Sequence, residues 1–297
     1  MANSNSVICI GSVLWDVIGR TEAHPGLGGD VAGRIKRIPG GVMFNIAMTL
    51  ARLDIQPVLL SAVGMDDEGS ELIQRCLKLG MNTDYLFRSS ELPTDVYMAI
   101  ECGQRGLVAA IADAHSLEAA GEAILTPLLD GTLGSVDAPY PGSIALDGNL
   151  TTALLTGIAD HPALAQAKLL VAPASPGKAA RLVPLARHEN ATVYVNLEEA
   201  QTICGAQFDH SKTAAEALVA KGFSRAMVSD GGRECAVADE HGSIVGQPPK
   251  VEVRRVTGAG DTLMASHIAA EMNGLSGFEA LNDALTKTSR YVSGGEA

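Results

Sequence analysis

Val256-Thr257-Gly258-Ala259-Gly260-Asp261 runs directly into Thr262-Leu263-Met264-Ala265-Ser266-His267-Ile268-Ala269-Ala270, an apolar helical segment. The two glycines remove Cβ atoms that would keep an anion away from backbone N–H groups. A helix start adds unpaired N–H donors and the positive end of the macrodipole. The stretch reads as an anion cradle suited to phosphate. Asp261 is the odd member, because a carboxylate repels phosphate. Two readings stand for it. It is the N-cap of the helix, a position that favours Asp, or it is a general base facing a substrate hydroxyl. One residue could fill both roles, and its place at a helix N-terminus is expected to keep it ionised.

Working outward, Val7 to Ile10 reads as a buried strand ending at Gly11, and Gly40-Gly41 opens a helix over 42–53. A strand over 57–63 and a helix over 68–79, stopped by Gly80, follow. Strands at 143–146, 168–171, 192–195 and 225–229 then alternate with helices at 151–159, 177–187, 198–204 and 211–221. Such alternation predicts a mostly parallel sheet with helices on both faces. Residues 118–142 hold Pro127, Pro139 and Pro141 and read as a helix followed by an irregular connection. Segments 20–39 and 95–112 do not fit the alternation and are expected to form a small second sheet, with a hairpin tip at Gly103 to Gly106. No linker divides the chain, so residues 1–297 are expected to be a single domain.

The bulk properties narrow the class. With 297 residues, 46% hydrophobic and 19% charged, the chain can bury a substantial core. A net charge of −12 argues against non-specific nucleic-acid binding. Five widely spaced cysteines without a C-x-x-C indicate a reducing compartment rather than a disulfide frame or zinc site. The N-terminus lacks a basic region, and no apolar run approaches membrane-spanning length. A cytoplasmic protein acting on a small molecule, away from membranes and nucleic acid, is the expectation.

Other phosphate-loop formats are absent: there is no G-x-x-x-x-G-K-[ST], and the glycine-rich stretch Gly26 to Gly33 neither follows a strand nor opens a helix. Gly40-Gly41-x-x-x-Asn45 would let a ligand approach backbone while Asn45 offers a donor and an acceptor. The alternative is an ordinary glycine-rich helix entry. Asn196-Leu197-Glu198-Glu199 follows a strand, where parallel sheets line their ligand crevice. Asn196 and Glu199 could hold hydrated Mg²⁺, or simply begin a helix with acidic residues in its first turn. Val228-Ser229-Asp230-Gly231-Gly232 is either a turn or a place where nucleotide approaches backbone.

In this order the pieces resemble the PfkB, or ribokinase, family of carbohydrate and nucleoside kinases. Gly40-Gly41-Val42-Met43-Phe44-Asn45-Ile46-Ala47 is similar to the family's N-terminal pattern, Val256 to Asp261 to its G-A-G-D pattern, and Asn196 to Glu199 to its N-x-x-E. The resemblance covers essentially the whole chain. It implies a ribokinase-like three-layer α/β/α sandwich with a mostly parallel central sheet and a small β-sheet lid built from about 14–40 and 93–113. It implies ATP and Mg²⁺. Asp261 would be the base, Gly258, Ala259 and Gly260 the anion hole, and Asn196 and Glu199 the support of Mg²⁺ through water. Asp16, Gly40, Gly41 and Asn45 would bind substrate, joined by Lys36, Asp113 and Lys178, while Ser229, Gly231, Gly232 and Thr257 would line the ATP site. A homodimer through the lid is a further implication.

Within the family the chain is most similar to the pseudouridine kinases, through Gly33-Arg34-Ile35-Lys36, Pro173-Ala174-Ser175-Pro176-Gly177-Lys178 and Asn196 to Gly205. That implies phosphorylation of the ribose 5′-hydroxyl of pseudouridine. The alternatives are a kinase of ribose, fructose or adenosine, or a non-catalytic protein that binds a nucleoside or sugar. Three positions depart from the family pattern. Leu14 stands in place of an Asn, Ala172 replaces an acid, and Arg255 stands where an Asp helps hold a monovalent cation. A guanidinium has no acceptor with which to ligate a cation, so activation by K⁺ is expected to be weak or absent. Arg254 and Arg255 are either positive charge near ATP or solvent-facing strand residues.

Overall fold

Alternate residues of the central strands face opposite helical layers, the period of two expected of a strand buried on both sides. Ile8, Ile10, Ile144, Leu146, Val193 and Val228 enter one core; Val7, Cys9, Ala145, Leu170, Tyr194 and Met227 enter the other. The structure, a computed structural model, describes residues 5–23, 29–103 and 106–295. The hairpin tip expected at Gly103 to Gly106 lies partly outside those residues, as does part of the glycine-rich stretch Gly26 to Gly33.

In chain order the first half contains β1 (Ser6–Ile10), β2 (Leu14–Thr21), β3 (Arg34–Gly40), α1 (Val42–Arg52), β4 (Gln56–Leu60), β5 (Ala62–Gly64) and α2 (Asp67–Lys78). It continues with β6 (Phe87–Ser89), β7 (Val96–Cys102), β8 (Gly106–Asp113), α3 (His115–Ala120) and α4 (Thr126–Leu129). The second half contains β9 (Ser143–Asp147), α5 (Thr152–Asp160), β10 (Lys168–Ala172), β11 (Ala191–Asn196), α6 (Leu197–Cys204), α7 (Ser211–Ala220) and β12 (Arg225–Ser229). It closes with β13 (Cys235–Asp239), β14 (Gly242–Gly246), α8 (Ala259–Met272) and α9 (Gly277–Val292). The main sheet has eight strands in the order β14-β13-β12-β11-β10-β9-β1-β4. It is parallel from β4 to β12, and β13 and β14 add an antiparallel edge. Helices α5, α6 and α7 cover one face, and α1, α2, α8 and α9 the other. This is the expected three-layer α/β/α sandwich.

The second sheet is four-stranded, in the order β3-β2-β7-β8. Its β8 is exposed along its whole length. Its root is fixed by Trp15, whose Nε1 donates to the Glu68 carbonyl at 2.9 Å while the Arg37 guanidinium stacks 4.3 Å from the ring centroid.

The structure corrects two expected elements. The strand over 57–63 is two strands: β4 ends at Leu60, and β5 leaves to pair with β6 in a separate ribbon. Ser61 sits at the break, its hydroxyl donating to the Gly11 carbonyl at 2.5 Å. The helix over 177–187 is a 3₁₀ stretch, Pro176–Arg187. Pro184 inside it has no N–H and cannot extend an α-helical ladder. The hairpin β13–β14 and the helix α9 are additional to the expected elements.

Candidate active site

The carboxyl ends of the parallel strands deliver Gly11, Asp147, Asn196 and Ser229 to one edge of the sheet, where α/β folds place their ligand crevice. A cavity of about 1060 Å³ opens between the second sheet, α1 and the loop before α8, lined by Asp16, Ile38, Phe44, Asn45 and Gly258 among others.

Helix α8 begins at Gly258, which adopts a left-handed conformation at φ 80°. A Cβ at that position would lie 2.6 Å from the Tyr291 hydroxyl, so both conformation and space require glycine. The cap reading of Asp261 is therefore corrected. Gly258 is the N-cap, and Asp261 lies in the first turn without capping it. Its carboxylate instead accepts Asn45 Nδ2 from α1 at 2.9 Å, across 216 residues of sequence. The expectation that the helix N-terminus keeps Asp261 ionised also fails. Burial pushes its carboxyl up to about 7, opposed by the Asn45 hydrogen bond and reinforced by the charges of Asp147, Glu199 and Asp16. Desolvation outweighs the macrodipole here. A carboxylate with that pKa is matched to proton abstraction near neutral pH.

Of the three expected anion-hole residues, Ala259 donates its N–H to the Val256 carbonyl at 3.0 Å. Gly260 stays in the first turn, where no intrahelical carbonyl reaches its N–H. A Cβ added to Gly260 would meet nothing within 4 Å, so its backbone faces open space.

The second sheet brings Asp16 to the cavity. Asp16 pairs with Ile38 on β3 and Tyr97 on β7, and its carboxylate fills the place of a Gly40 Cβ, 2.0 Å from where that atom would stand. Burial pushes its carboxyl up to about 6, and no side chain or backbone group among the described residues hydrogen-bonds it. Gly41 has φ 99°, and a Cβ there would lie 2.4 Å from the Ser12 carbonyl. Lys36 is exposed and pairs with Ile18, two residues beyond Asp16, which puts it on the Asp16 face of the sheet. Asp113 does not join them. It pairs with Val96, which also pairs with Trp15, so it belongs to the opposite face, and its Oδ1 lies 2.6 Å from His115 Nδ1.

Lys178 reaches the crevice through a chain of contacts that spacing could not reveal. Its Nζ donates to Asn149 Oδ1 at 2.7 Å, and Asn149 Nδ2 donates to Ser12 Oγ at 2.9 Å. Behind them Asp147, wholly buried, accepts Ser12 N at 2.8 Å, Ser12 Oγ at 2.7 Å, Met43 N at 3.1 Å and Asn149 N at 2.8 Å. Asp147-Gly148-Asn149 at the end of a predicted strand was the signal available for this hub.

Asn196 and Glu199 form a capping box at the start of α6. Asn196 Oδ1 accepts the Glu199 N–H and Glu199 Oε2 accepts the Asn196 N–H, both at 2.9 Å. The helix-start reading is thus realised, and it leaves the second Glu199 oxygen uncommitted. No group of three or more His, Cys, Asp or Glu among the described residues could hold a metal directly. The donor set fits Mg²⁺ that keeps its water shell. Ser229 ends β12, and Gly231 and Gly232 are exposed with open space where a Cβ would point. The Thr257 carbonyl accepts the Tyr291 hydroxyl at 2.8 Å. Arg254 and Arg255 lie in a loop rather than a strand, and Arg254 pairs with Glu252 at 3.2 Å.

Comparison with known proteins gives the family and the fold. The model of the pfkB family carbohydrate kinases matches residues 4–287. The pseudouridine kinase of Escherichia coli (strain K12) is 28% identical over 287 residues, covering 93% of this chain and 86% of that protein. A carbohydrate kinase from Agrobacterium tumefaciens superposes with a TM-score of 0.80 at 24% identity, covering 96% of this chain and 90% of that one. Arabidopsis thaliana ribokinase complexed with ribose and ATP superposes with a TM-score of 0.74 at 18% identity, covering 98% and 93%.

Proposed function

The chain belongs to the pfkB family of carbohydrate kinases and is a kinase of a sugar or nucleoside; from that premise we propose that it transfers the γ-phosphoryl group of ATP to the 5′-hydroxyl of pseudouridine. The observation that carries the chemistry is the Asp261 carboxylate, in the first turn of α8 and held from α1 by Asn45 at 2.9 Å. The similarity to a pseudouridine kinase along 93% of the chain supports the choice of nucleoside.

In this reading the unsatisfied Asp16 carboxylate accepts hydrogen bonds from the ribose hydroxyls, with the backbone at Gly40 and Gly41 close against the sugar. Lys36, on the Asp16 face, and Lys178, bonded to Asn149, extend that contact; Asp113, on the other face of its sheet, is left out. Asp261 takes the proton of the 5′-hydroxyl, whose oxygen forms the new bond to the γ-phosphorus as the bond to the β–γ bridging oxygen breaks and ADP leaves. The transition state is loose and charge-spread, so positioning and electrostatics dominate its stabilisation. The Gly260 N–H and the α8 macrodipole face that charge, while Thr257, Ser229, Gly231 and Gly232 border the nucleotide. Glu199 would hold Mg²⁺ through water, and the ion would supply neutralisation of charge there.

The face of the second sheet opposite Asp16 exposes Ile35, Met98, Ile100 and Ile111, two of them by more than two thirds, at 78% and 69%. Exposed apolar residues grouped in this way support a homodimer through this lid, which sedimentation of the purified protein tests.

ADP release measured with pseudouridine, uridine, adenosine, ribose and fructose tests the substrate. Pseudouridine is expected to give the highest kcat/KM. Turnover of ribose with none of pseudouridine would overturn the nucleoside reading. Binding of pseudouridine without ADP release would favour a non-catalytic protein.

A further inference from the structure

The loop before the anion cradle is fastened at its far side by a positive charge belonging to the chain itself. Arg255 Nε donates to the Tyr291 carbonyl at 2.7 Å, and its Nη2 donates to the Gly295 carbonyl. The guanidinium carbon stands 3.6 Å from the centroid of the Tyr291 ring. The Tyr291 carbonyl lies in the last turn of α9, where the macrodipole is negative, and Gly295 follows just beyond the helix. The Tyr291 hydroxyl then reaches back to the Thr257 carbonyl at 2.8 Å, directly beneath Gly258. One aromatic side chain therefore touches the cation on its face and the phosphate-facing turn at its tip.

The family resemblance implies a monovalent cation beside this loop, and the residues present do not fit one. A cation needs oxygen ligands, yet the two carbonyls at the end of α9 are occupied by a fixed guanidinium that has no acceptor to offer. A K⁺ ion there would also face the charge of Arg255 at contact distance.

We infer that Arg255 and Tyr291 form a built-in clasp that positions the Thr257–Gly260 turn for phosphoryl transfer, doing at the α9 carbonyls what an exchangeable cation would otherwise do. Arg255 is a positioning residue, acting through Tyr291 and Thr257 on the N–H groups of the turn. The clasp deepens the kinase reading and rests on the same loop. Because the contacts bear on the placement of the transferring phosphoryl, they affect the rate step more than nucleoside binding, and a misplacement of the order of 1 Å there costs up to about a hundredfold in rate.

Four preparations test the clasp: the native enzyme, Arg255→Ala, Tyr291→Phe and the double variant. Turnover is measured with whichever acceptor the kinase uses, in K⁺ and in choline, and amide hydrogen exchange is followed across 256–262. The native enzyme is expected to turn over equally in the two salts. Arg255→Ala is expected to lose about tenfold to a hundredfold in kcat with KM for the acceptor little changed, and added guanidinium is expected to restore part of it. Tyr291→Phe is expected to lose less, and the double variant no more than Arg255→Ala alone, because the two act in series. Exchange in the turn is expected to speed up in both single variants while the main sheet stays protected. Several-fold K⁺ stimulation of the native enzyme, or unchanged kcat and unchanged exchange in Arg255→Ala, would overturn the clasp. Faster exchange in the turn with no acceptor phosphorylated would leave the clasp standing and remove the kinase reading instead.

Discussion

Asp147 and Asp261 are two carboxylates at the same edge of the same sheet, and their surroundings differ sharply. Asp147 is wholly buried and receives four hydrogen bonds, three from backbone N–H groups and one from Ser12 Oγ. Among the described residues Asp261 receives one, from Asn45. Burial raises the carboxyl pKa of both, but the donors around Asp147 oppose that rise from every side. A saturated carboxylate has no lone pair left for a substrate and can only hold structure together. Asp147 does so by tying the β1 loop at Ser12 to the first residues of α1 and to Asn149. A carboxylate with one partner keeps oxygen lone pairs uncommitted, and its charged form is available to take a proton. Desolvation raises the pKa of both; hydrogen-bond saturation is what separates the anchor from the proposed base.

The largest expected effect sharpens that separation. Asp261→Asn keeps the shape and the Asn45 neighbour but removes the proton acceptor, so kcat is expected to fall by about a thousandfold or more, with ligand binding by calorimetry retained and the fold no less stable. Unchanged turnover would take Asp261 out of the mechanism and dissolve the contrast. Asp147→Asn should do the reverse. An amide offers one oxygen where the site uses two, so its NH₂ must confront a backbone N–H. Leaving buried donors unsatisfied costs about 3 kcal/mol, and the thermal midpoint is expected to drop by roughly 5–10 °C. If Asp147→Asn instead melted like the native protein and lost only activity, the anchor role would be wrong.

The next effect is on pH. With its carboxyl at about 7, Asp261 is protonated at lower pH and, on the proposed mechanism, inactive there as a base. The kcat/KM is expected to rise tenfold per unit up to about pH 7 and then level, as for a single essential base. The same shift has a stability consequence. A carboxyl whose pKa rises from 3.8 in the unfolded chain to about 7 in the fold binds its proton more tightly when folded. Its contribution is complete below pH 3.8 and is lost as pH climbs through about 7. Asp261→Asn should therefore be more stable than the native enzyme at pH 8, by a few kcal/mol on the order of the linkage estimate, and nearly equal to it at pH 4. Urea unfolding at the two pH values reads this difference.

Much of this architecture was legible in the sequence because strands buried on both faces leave continuous apolar runs. Val7 to Ile10 and Lys168 to Ala172 sit as their patterns require. The glycines and acid of 258–261 were legible because the residue types themselves are unusual before an apolar helix. The small residues Ala236 and Ala238 carried too little strand preference to mark β13. Helix α9 carries a helical signal in Leu281 and Leu285, one turn apart. What spacing could not show is what chain crossing creates: Ser12 with Asp147, Lys178 with Asn149, and Arg255 with Tyr291 are 135, 29 and 36 residues apart. Nor could spacing show that burial would override the helix dipole at Asp261.

Asn45 gives the smallest effect and the finest test of the comparison, since it supplies the single donor that makes Asp261 slightly more like Asp147. Its Nδ2 stabilises the ionised carboxylate, so Asn45→Ala should move the acid limb of the rate profile to higher pH. A net hydrogen bond of about 1 kcal/mol corresponds to a several-fold loss of kcat/KM near pH 6. The loss should close by pH 9, where Asp261 is ionised with or without help. Asn45 also lines the cavity, and a contact to the substrate would produce a different pattern: a loss that persists at pH 9 and appears in KM. A pH-independent loss would assign Asn45 to substrate binding and leave Asp261 poised by burial and neighbouring charge alone. A loss confined to low pH would show that one hydrogen bond sets how far the catalytic carboxylate stands from the saturated one.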